Sequence, residues 1–116
     1  MPYTAKEGAL ASFLDGNAVS LILLSGDARG MEYRVDQQRV MFGHGPGVDL
    51  AVEARGLARE HATIEFWGDA YVVREVDTEY PILLNGGPVR CCELKHGDRI
   101  ELGELAIEFV CRKRQN

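Results

Sequence analysis

Cysteine is scarce and unpaired in this 116-residue chain: there are three, and Cys91 and Cys92 are adjacent. An odd count with two neighbours gives no symmetric disulfide framework, which excludes the stapled scaffold of small secreted domains and points to a reducing, cytoplasmic compartment. Cys91, Cys92 and His96 do not reach the spacing of a zinc site, so structural thiols are expected and no metal or cofactor. Basic residues are also in deficit, with 13 Lys and Arg against 18 Asp and Glu and a net charge of −5. A nucleic-acid binder would carry a basic stripe; only Arg112-Lys113-Arg114 is locally basic. Long apolar runs are missing too. Nothing approaches the roughly 20 residues of a membrane-spanning helix, and the N-terminus lacks the basic-then-apolar pattern of a signal peptide. Paired carboxylates, a nucleophile elbow, a P-loop and a dinucleotide fingerprint are all absent, so no enzyme is expected.

What is present suits one domain, since single cores span roughly 100–200 residues and a chain of this size buries about two-thirds of its unfolded surface. Residues 1–17 read as a capped amphipathic helix or arm. Thr4 and Glu7 have the spacing of a capping box, Leu10, Phe13 and Leu14 recur at helical spacing, and Gly16 is the expected stop. Gly8 costs such a helix about 1 kcal/mol relative to alanine. So short a helix cannot persist alone in water, and its apolar stripe is expected to dock on its own domain, with a partner protein as the second candidate. From Val19 onward the period falls to two. Met31, Tyr33 and Val35 alternate with Glu32 and Arg34; Ala62, Ile64 and Phe66 with Thr63 and Glu65; Leu105, Ile107 and Phe109 with Ala106 and Glu108. Each set predicts a strand with one face in a core and one in water. Gly26-Asp27, Gly45-Pro46-Gly47, Gly68-Asp69, Gly86-Gly87-Pro88 and Gly97-Asp98 punctuate them. Short strands at spacings near ten residues predict an all-β fold, an antiparallel β-sandwich over residues 18–111, with 112–116 as a basic C-terminal tail. Binding residues in such folds sit on connecting loops held by rigid sheets, here around 43–47, 54–61 and 77–81.

Three pieces stand together: Phe42-Gly43-His44, Leu57-Ala58-Arg59-Glu60-His61-Ala62, and Leu83-Leu84-Asn85-Gly86-Gly87-Pro88-Val89 followed by Gly97-Asp98-Arg99-Ile100-Glu101-Leu102-Gly103. Their order and spacing resemble the forkhead-associated (FHA) domain over approximately residues 19–110. The resemblance implies a sandwich of about eleven short strands, a scaffold role for Gly43 at a tight turn, for His61 as an internal hydrogen-bonding residue and for Asn85-Gly86 in a hairpin, and a setting in signalling or secretion machinery. FHA domains that read phosphothreonine carry Gly-Arg, Ser-X-X-His and Ser/Thr-Asn-Gly at three loops. Against that pattern the arginine is His44, the serine is Ala58, the threonine is Glu79 and the asparagine is Tyr80.

Those replacements remove the chemistry of phosphate capture. A phosphothreonine brings about −1.5 to −2 charges and three strong acceptors, which arginine answers with a permanent charge and a fixed fork of donors. Histidine offers fewer donors, alanine none, and a hydrogen bond to a charged group contributes roughly 1.5–3 kcal/mol. Glu79 facing the phosphate would add repulsion of up to about 4 kcal/mol at about 4 Å in an intermediate dielectric. The first reading is therefore a non-enzymatic interaction module that binds a protein in trans, independently of phosphorylation, at a loop end altered by His44, Tyr80 and Pro81. The chain opens on methionine and is read as complete, hence the partner in trans. The alternative is a phosphoprotein partner held by a rearranged site of Arg59, Arg55 and His44, flanked by Arg39, binding more tightly near pH 6 than pH 8. His96 is expected in an exposed turn, Asp49, Asp77 and Asp98 on nearby backbone amides, and Trp67 at a strand end, in packing or against a partner.

Overall fold

Alternation sorts the strands of the computed structural model, which describes residues 8–115, onto two packed sheets. A helix, α1 (Ala9–Gly16), precedes β1 (Asn17–Leu23), β2 (Glu32–Arg34), β3 (Arg39–Gly43), β4 (Leu50–Ala51), β5 (Ala62–Phe66) and β6 (Tyr71–Glu75). The chain continues through β7 (Ile82–Leu84), β8 (Gly87–Val89), β9 (Cys91–Glu93), β10 (Arg99–Leu102) and β11 (Leu105–Lys113). One sheet has six strands in the order β2-β1-β11-β10-β7-β8, the other five in the order β4-β3-β5-β6-β9. Pairing is antiparallel apart from β3 and β4, which run parallel with Phe42 opposite Leu50. The longest ladder runs from Asn17 opposite Lys113 to Leu23 opposite Ile107. Between the sheets, Val19, Leu21, Leu23, Ile107 and Phe109 meet Val40, Phe42, Ile64, Phe66, Tyr71 and Val73 in one buried cluster. Each such side chain, fully buried, contributes roughly 1.5–3 kcal/mol.

The helix starts later than its sequence pattern predicts. Thr4 and Glu7 lie outside the described residues, and Gly8 precedes the first turn in a left-handed conformation (φ 82°) rather than sitting inside it. Leu10, Phe13 and Leu14 pack against the core. The Phe13 ring lies 5.1 Å from Phe66 and 6.0 Å from Tyr71, centroid to centroid. Asn17 Nδ2 donates to the Phe13 carbonyl at 3.0 Å. Arg114 then reaches back, its Nε donating to the Leu14 carbonyl at 2.7 Å and its amide to that of Gly16 at 3.0 Å. A cation on the last carbonyls of a helix is favourably placed, so part of the basic tail is tied to its own helix.

Two strands depart from simple alternation. Thr63 and Glu65, which the pattern puts in water, are 0% and 6% exposed. They survive burial because each polar atom is answered. Glu65 Oε2 accepts from Thr63 Oγ1 at 2.7 Å and from Arg74 Nε and Nη2 at 2.9 and 2.7 Å, while Oε1 accepts from Trp67 Nε1 at 3.1 Å. That indole bond pins Trp67, half-buried, on the outer face of the five-stranded sheet. Ala106 is buried although it alternates with core residues, and Met31, expected inside, lies exposed just before β2.

Candidate functional site

The connections after β3, before β5 and after β6 are joined by main-chain hydrogen bonds. The His44 amide donates to the Ala58 carbonyl at 3.2 Å, the Gly45 amide to Arg59 at 3.1 Å and the His61 amide to Phe42 at 2.9 Å. Gly43 is required here for a reason other than the tight turn expected of it. A Cβ at this position would lie 1.9 Å from the Arg59 carbonyl oxygen and 2.6 Å from its carbon. Hydrogen serves as the side chain because another backbone occupies the space.

His61 links the second connection to the third. Its Nδ1 accepts from the Ala58 amide at 3.1 Å, so Nε2 carries the proton and donates to the Pro81 carbonyl at 3.1 Å. The ring is 0% exposed and meets Tyr80 edge-on at 5.6 Å. Burial pushes its pKa below the usual histidine value, against the opposing pull of the Pro81 carbonyl and Asp77. The unfolded chain therefore binds a proton that the folded chain refuses, and stability must fall as the solution is acidified. The contribution is complete above the unfolded histidine value of about 6.5 and declines from there toward the lower folded pKa. Urea midpoints between pH 7.5 and 5 are expected to fall in the wild type, and this slope is expected to shrink in His61→Gln; equal slopes would assign it to other groups.

The remaining candidates separate. Arg59 lines a pocket of about 610 Å³ with Gly45, Pro46, Glu60, Asp77 and Thr78. His44 and Arg55 line a second depression, of about 470 Å³, with Glu53 and Ala54. Arg55 also sits 3.5 Å from Glu104, with both side chains largely in water, where such a pair contributes little. Arg39 opens β3, opposite Glu65, at the far end of that strand from Gly43. Ala58 is buried, and the one donor it offers, its amide, is already used by His61. Asp77 organises the third connection: its Oδ1 accepts from the Glu79 amide at 3.0 Å and its carbonyl from the Tyr80 amide at 3.1 Å. Glu79 and Pro81 are exposed, and Tyr80 is 37% exposed over His61. The sequence signal for Thr78 is a hydroxyl one position before Glu79, which the match of Glu79 and Tyr80 to the pattern passes over.

The other motif residues are scaffold. Asn85 has a left-handed backbone (φ 52°); its Nδ2 donates to Asp98 Oδ1 at 2.9 Å and its Oδ1 accepts from the Arg99 amide at 2.9 Å. Asp98 Oδ2 accepts from the Lys95 amide at 2.7 Å. One hairpin is thereby clamped to the turn before β10. His96 is exposed, and its Nδ1 accepts from the Cys111 amide at 3.1 Å. Among the described residues no group of three His, Cys, Asp or Glu side chains is placed to hold a metal ion. No helix among them is long and apolar enough to cross a membrane.

Known proteins share this architecture. The chain is 25% identical over 108 residues to the oxoglutarate dehydrogenase inhibitor of Corynebacterium jeikeium, covering 93% of this chain and 74% of that one. It spans 59% of the length of the other curated relatives it matches. Among solved structures, the FhaA FHA domain complexed with the intracellular domain of Rv3910 superposes with a TM-score of 0.69 at 26% identity, covering 81% of this chain and 99% of that one. The cytoplasmic domain of the type III secretion sorting-platform protein PscD from P. aeruginosa gives 0.72 at 23% identity, covering 84% and 83%, a likeness of fold alone. The chain is an FHA-type β-sandwich and a non-enzymatic interaction module. Residues 22–113 match a sequence family described as the inner membrane component of T3SS, cytoplasmic domain, and the chain belongs to that FHA-type family.

Proposed function

We propose that this module binds its protein partner in trans without requiring phosphothreonine, through the loop end around His44, Arg59, Tyr80 and Pro81. One observation carries the reading: the cations that would hold a phosphate are divided between two depressions, and each depression contains carboxylate. Arg59 shares its pocket with Glu60 and Asp77, and His44 and Arg55 share theirs with Glu53. A doubly charged oxyanion entering either meets at least as much negative as permanent positive charge. The serine hydroxyl of the phosphate-reading pattern is replaced by a buried methyl group at Ala58. Tyr80 and Pro81 instead offer apolar surface, which suits a dry protein contact. The family supports a setting on the cytoplasmic side of a secretion apparatus, and the FhaA complex supports recognition of an intracellular protein domain.

Arg59 and Thr78 on one pocket favour the alternative, a rearranged phosphothreonine site. A calorimetric titration with a degenerate phosphothreonine peptide library and its unphosphorylated twin separates the two. The expected result is less than about a threefold preference for the phosphorylated pool at both pH 6 and pH 8, unchanged in Arg59→Ala. Micromolar binding abolished by phosphatase, worth about 8 kcal/mol, would establish the alternative.

A further inference from the structure

We infer that a groove beside the loop end is a docking site for an extended, unphosphorylated peptide carrying an aliphatic side chain flanked by lysine or arginine. The inference rests on the interaction-module reading and assigns that module a second contact surface. The groove, of about 530 Å³, lies between the connection after β1, the segment after β4 and the β10–β11 turn. Its floor is aliphatic: Leu23, Val52, Ala54 and Leu105. Its rim carries Asp27, Glu53 and Glu104 against the single cation Arg55. An apolar floor under an acidic rim selects a ligand with the reverse arrangement, an aliphatic anchor between cations.

The groove is pre-formed, so a peptide would not have to order it. Ser25 Oγ donates to the Glu104 carbonyl and accepts from the Ala106 amide, each at 3.0 Å. The Glu104 amide donates to the Arg55 carbonyl at 2.8 Å. Gly56 and Gly103 lie against each other so closely that a Cβ on Gly103 would sit 2.5 Å from the Gly56 carbonyl carbon. The walls are therefore fixed to one another. Arg55, the cation of the lining, is loosely held, its side chain being 92% exposed in its pair with Glu104, so an incoming guanidinium can displace it at little cost. A second copy of this chain is a poorer occupant. Its basic segment Arg112-Lys113-Arg114 contains no aliphatic anchor, and Arg114 is engaged on the helix carbonyls.

The test uses the full chain, labelled with ¹⁵N, and three heptapeptides with arginine–leucine–arginine, glutamate–leucine–glutamate or arginine–glycine–arginine between paired glycines. The arginine–leucine–arginine peptide is expected to shift the amides of Asp27, Val52, Ala54 and Glu104 in a saturable manner. Affinity should fall about tenfold or more for each other peptide and for the exposed-residue double variant Glu53→Lys/Glu104→Lys, whose spectrum also reports that the fold is kept. Raising salt to about 0.5 M should weaken it similarly. No saturation below about 5 mM, shifts centred elsewhere, equal affinity for the glutamate peptide, or salt-sensitive self-association of the chain that competes with the peptide would each overturn the proposal. Phosphothreonine binding at the loop end would defeat the functional reading above while leaving this titration to be decided on its own result.

Discussion

Alanine at position 43 is expected to destabilise the protein by about 3 kcal/mol or more, lowering Tm by about 12 °C at about 4 °C per kcal/mol. The methyl group would be placed 1.9 Å from the Arg59 carbonyl oxygen. Neither side can give way cheaply. Gly43 closes β3, and its neighbours on both sides hold backbone bonds to the 58–61 segment, the His44 amide to Ala58 and the Phe42 carbonyl to the His61 amide. Relief requires the two connections to part, which breaks those bonds and uncovers His61. Gly47→Ala is the matched control. Gly47 also disfavours a side chain, through its φ of 83°, but nothing lies within 4 Å of the added methyl, so only about 1–2 kcal/mol of left-handed backbone strain is expected. Thermal melts by circular dichroism decide between them, and equal losses would show that close approach at Gly43 is not what demands glycine there.

The second large effect is expected at Glu65. Replacing it with leucine leaves the Thr63 hydroxyl and the Trp67 indole without their partner and strips Arg74 of its counter-charge, at a cost of about 2–3 kcal/mol. That is less than the roughly 3–5 kcal/mol of breaking a fully buried pair, because Arg74 is 40% exposed and can recover water. The double variant Glu65→Leu/Arg74→Met is expected to regain at least half of the loss, since removing both charges restores a consistent apolar surface. A double variant as unstable as the sum of its singles would show that the pair is not coupled. The same carboxylate gives a pH signature. Burial alone would raise its pKa, yet the hydrogen bonds from Arg74, Thr63 and Trp67 together hold it below the usual carboxylate range. A carboxyl depressed in the folded state stabilises fully above its unfolded pKa and loses that contribution as pH falls through the folded value. Acid unfolding below about pH 4.5 should therefore be steeper in the wild type than in Glu65→Leu, a window distinct from that of His61, which opens nearer pH 6.5.

Much of the fold was legible because alternation and turn residues are local signals. Ile64, Phe66, Leu105, Ile107 and Phe109 read as core, and Gly26-Asp27, Gly68-Asp69 and Gly97-Asp98 as turns, from spacing alone. Thr63 and Glu65 were misplaced because a polar residue at an outward position reads as solvated. Only the arrival of Arg74 from β6, opposite Thr63 in the ladder, and of the indole of Trp67, makes their burial tolerable. The candidate site was harder to read. His44, Arg55 and Arg59 are close in sequence and all cationic or potentially so, which suggests one cluster. The fold instead turns Arg59 across Gly45 toward Thr78 and Asp77, and His44 toward Glu53. Side-chain direction at a loop depends on which backbone lies beside it, and no local pattern encodes that.

By itself the sequence determined an antiparallel sandwich preceded by a short amphipathic helix, and its resemblance to the FHA pattern implied scaffold roles for Gly43, Asn85 and His61, with His44, Ala58, Glu79 and Tyr80 where phosphothreonine readers carry other residues. Tertiary structure decided where the helix stripe is spent, against Phe66 and Tyr71, and why Gly43 must be glycine. It also set an aliphatic floor under an acidic rim by bringing Leu23, Val52 and Leu105 together. Periodicity records which side of a strand a residue faces, because successive side chains alternate by covalent geometry. It carries no record of which distant segment will stand opposite, and close approaches, buried charge pairs and grooves are made there.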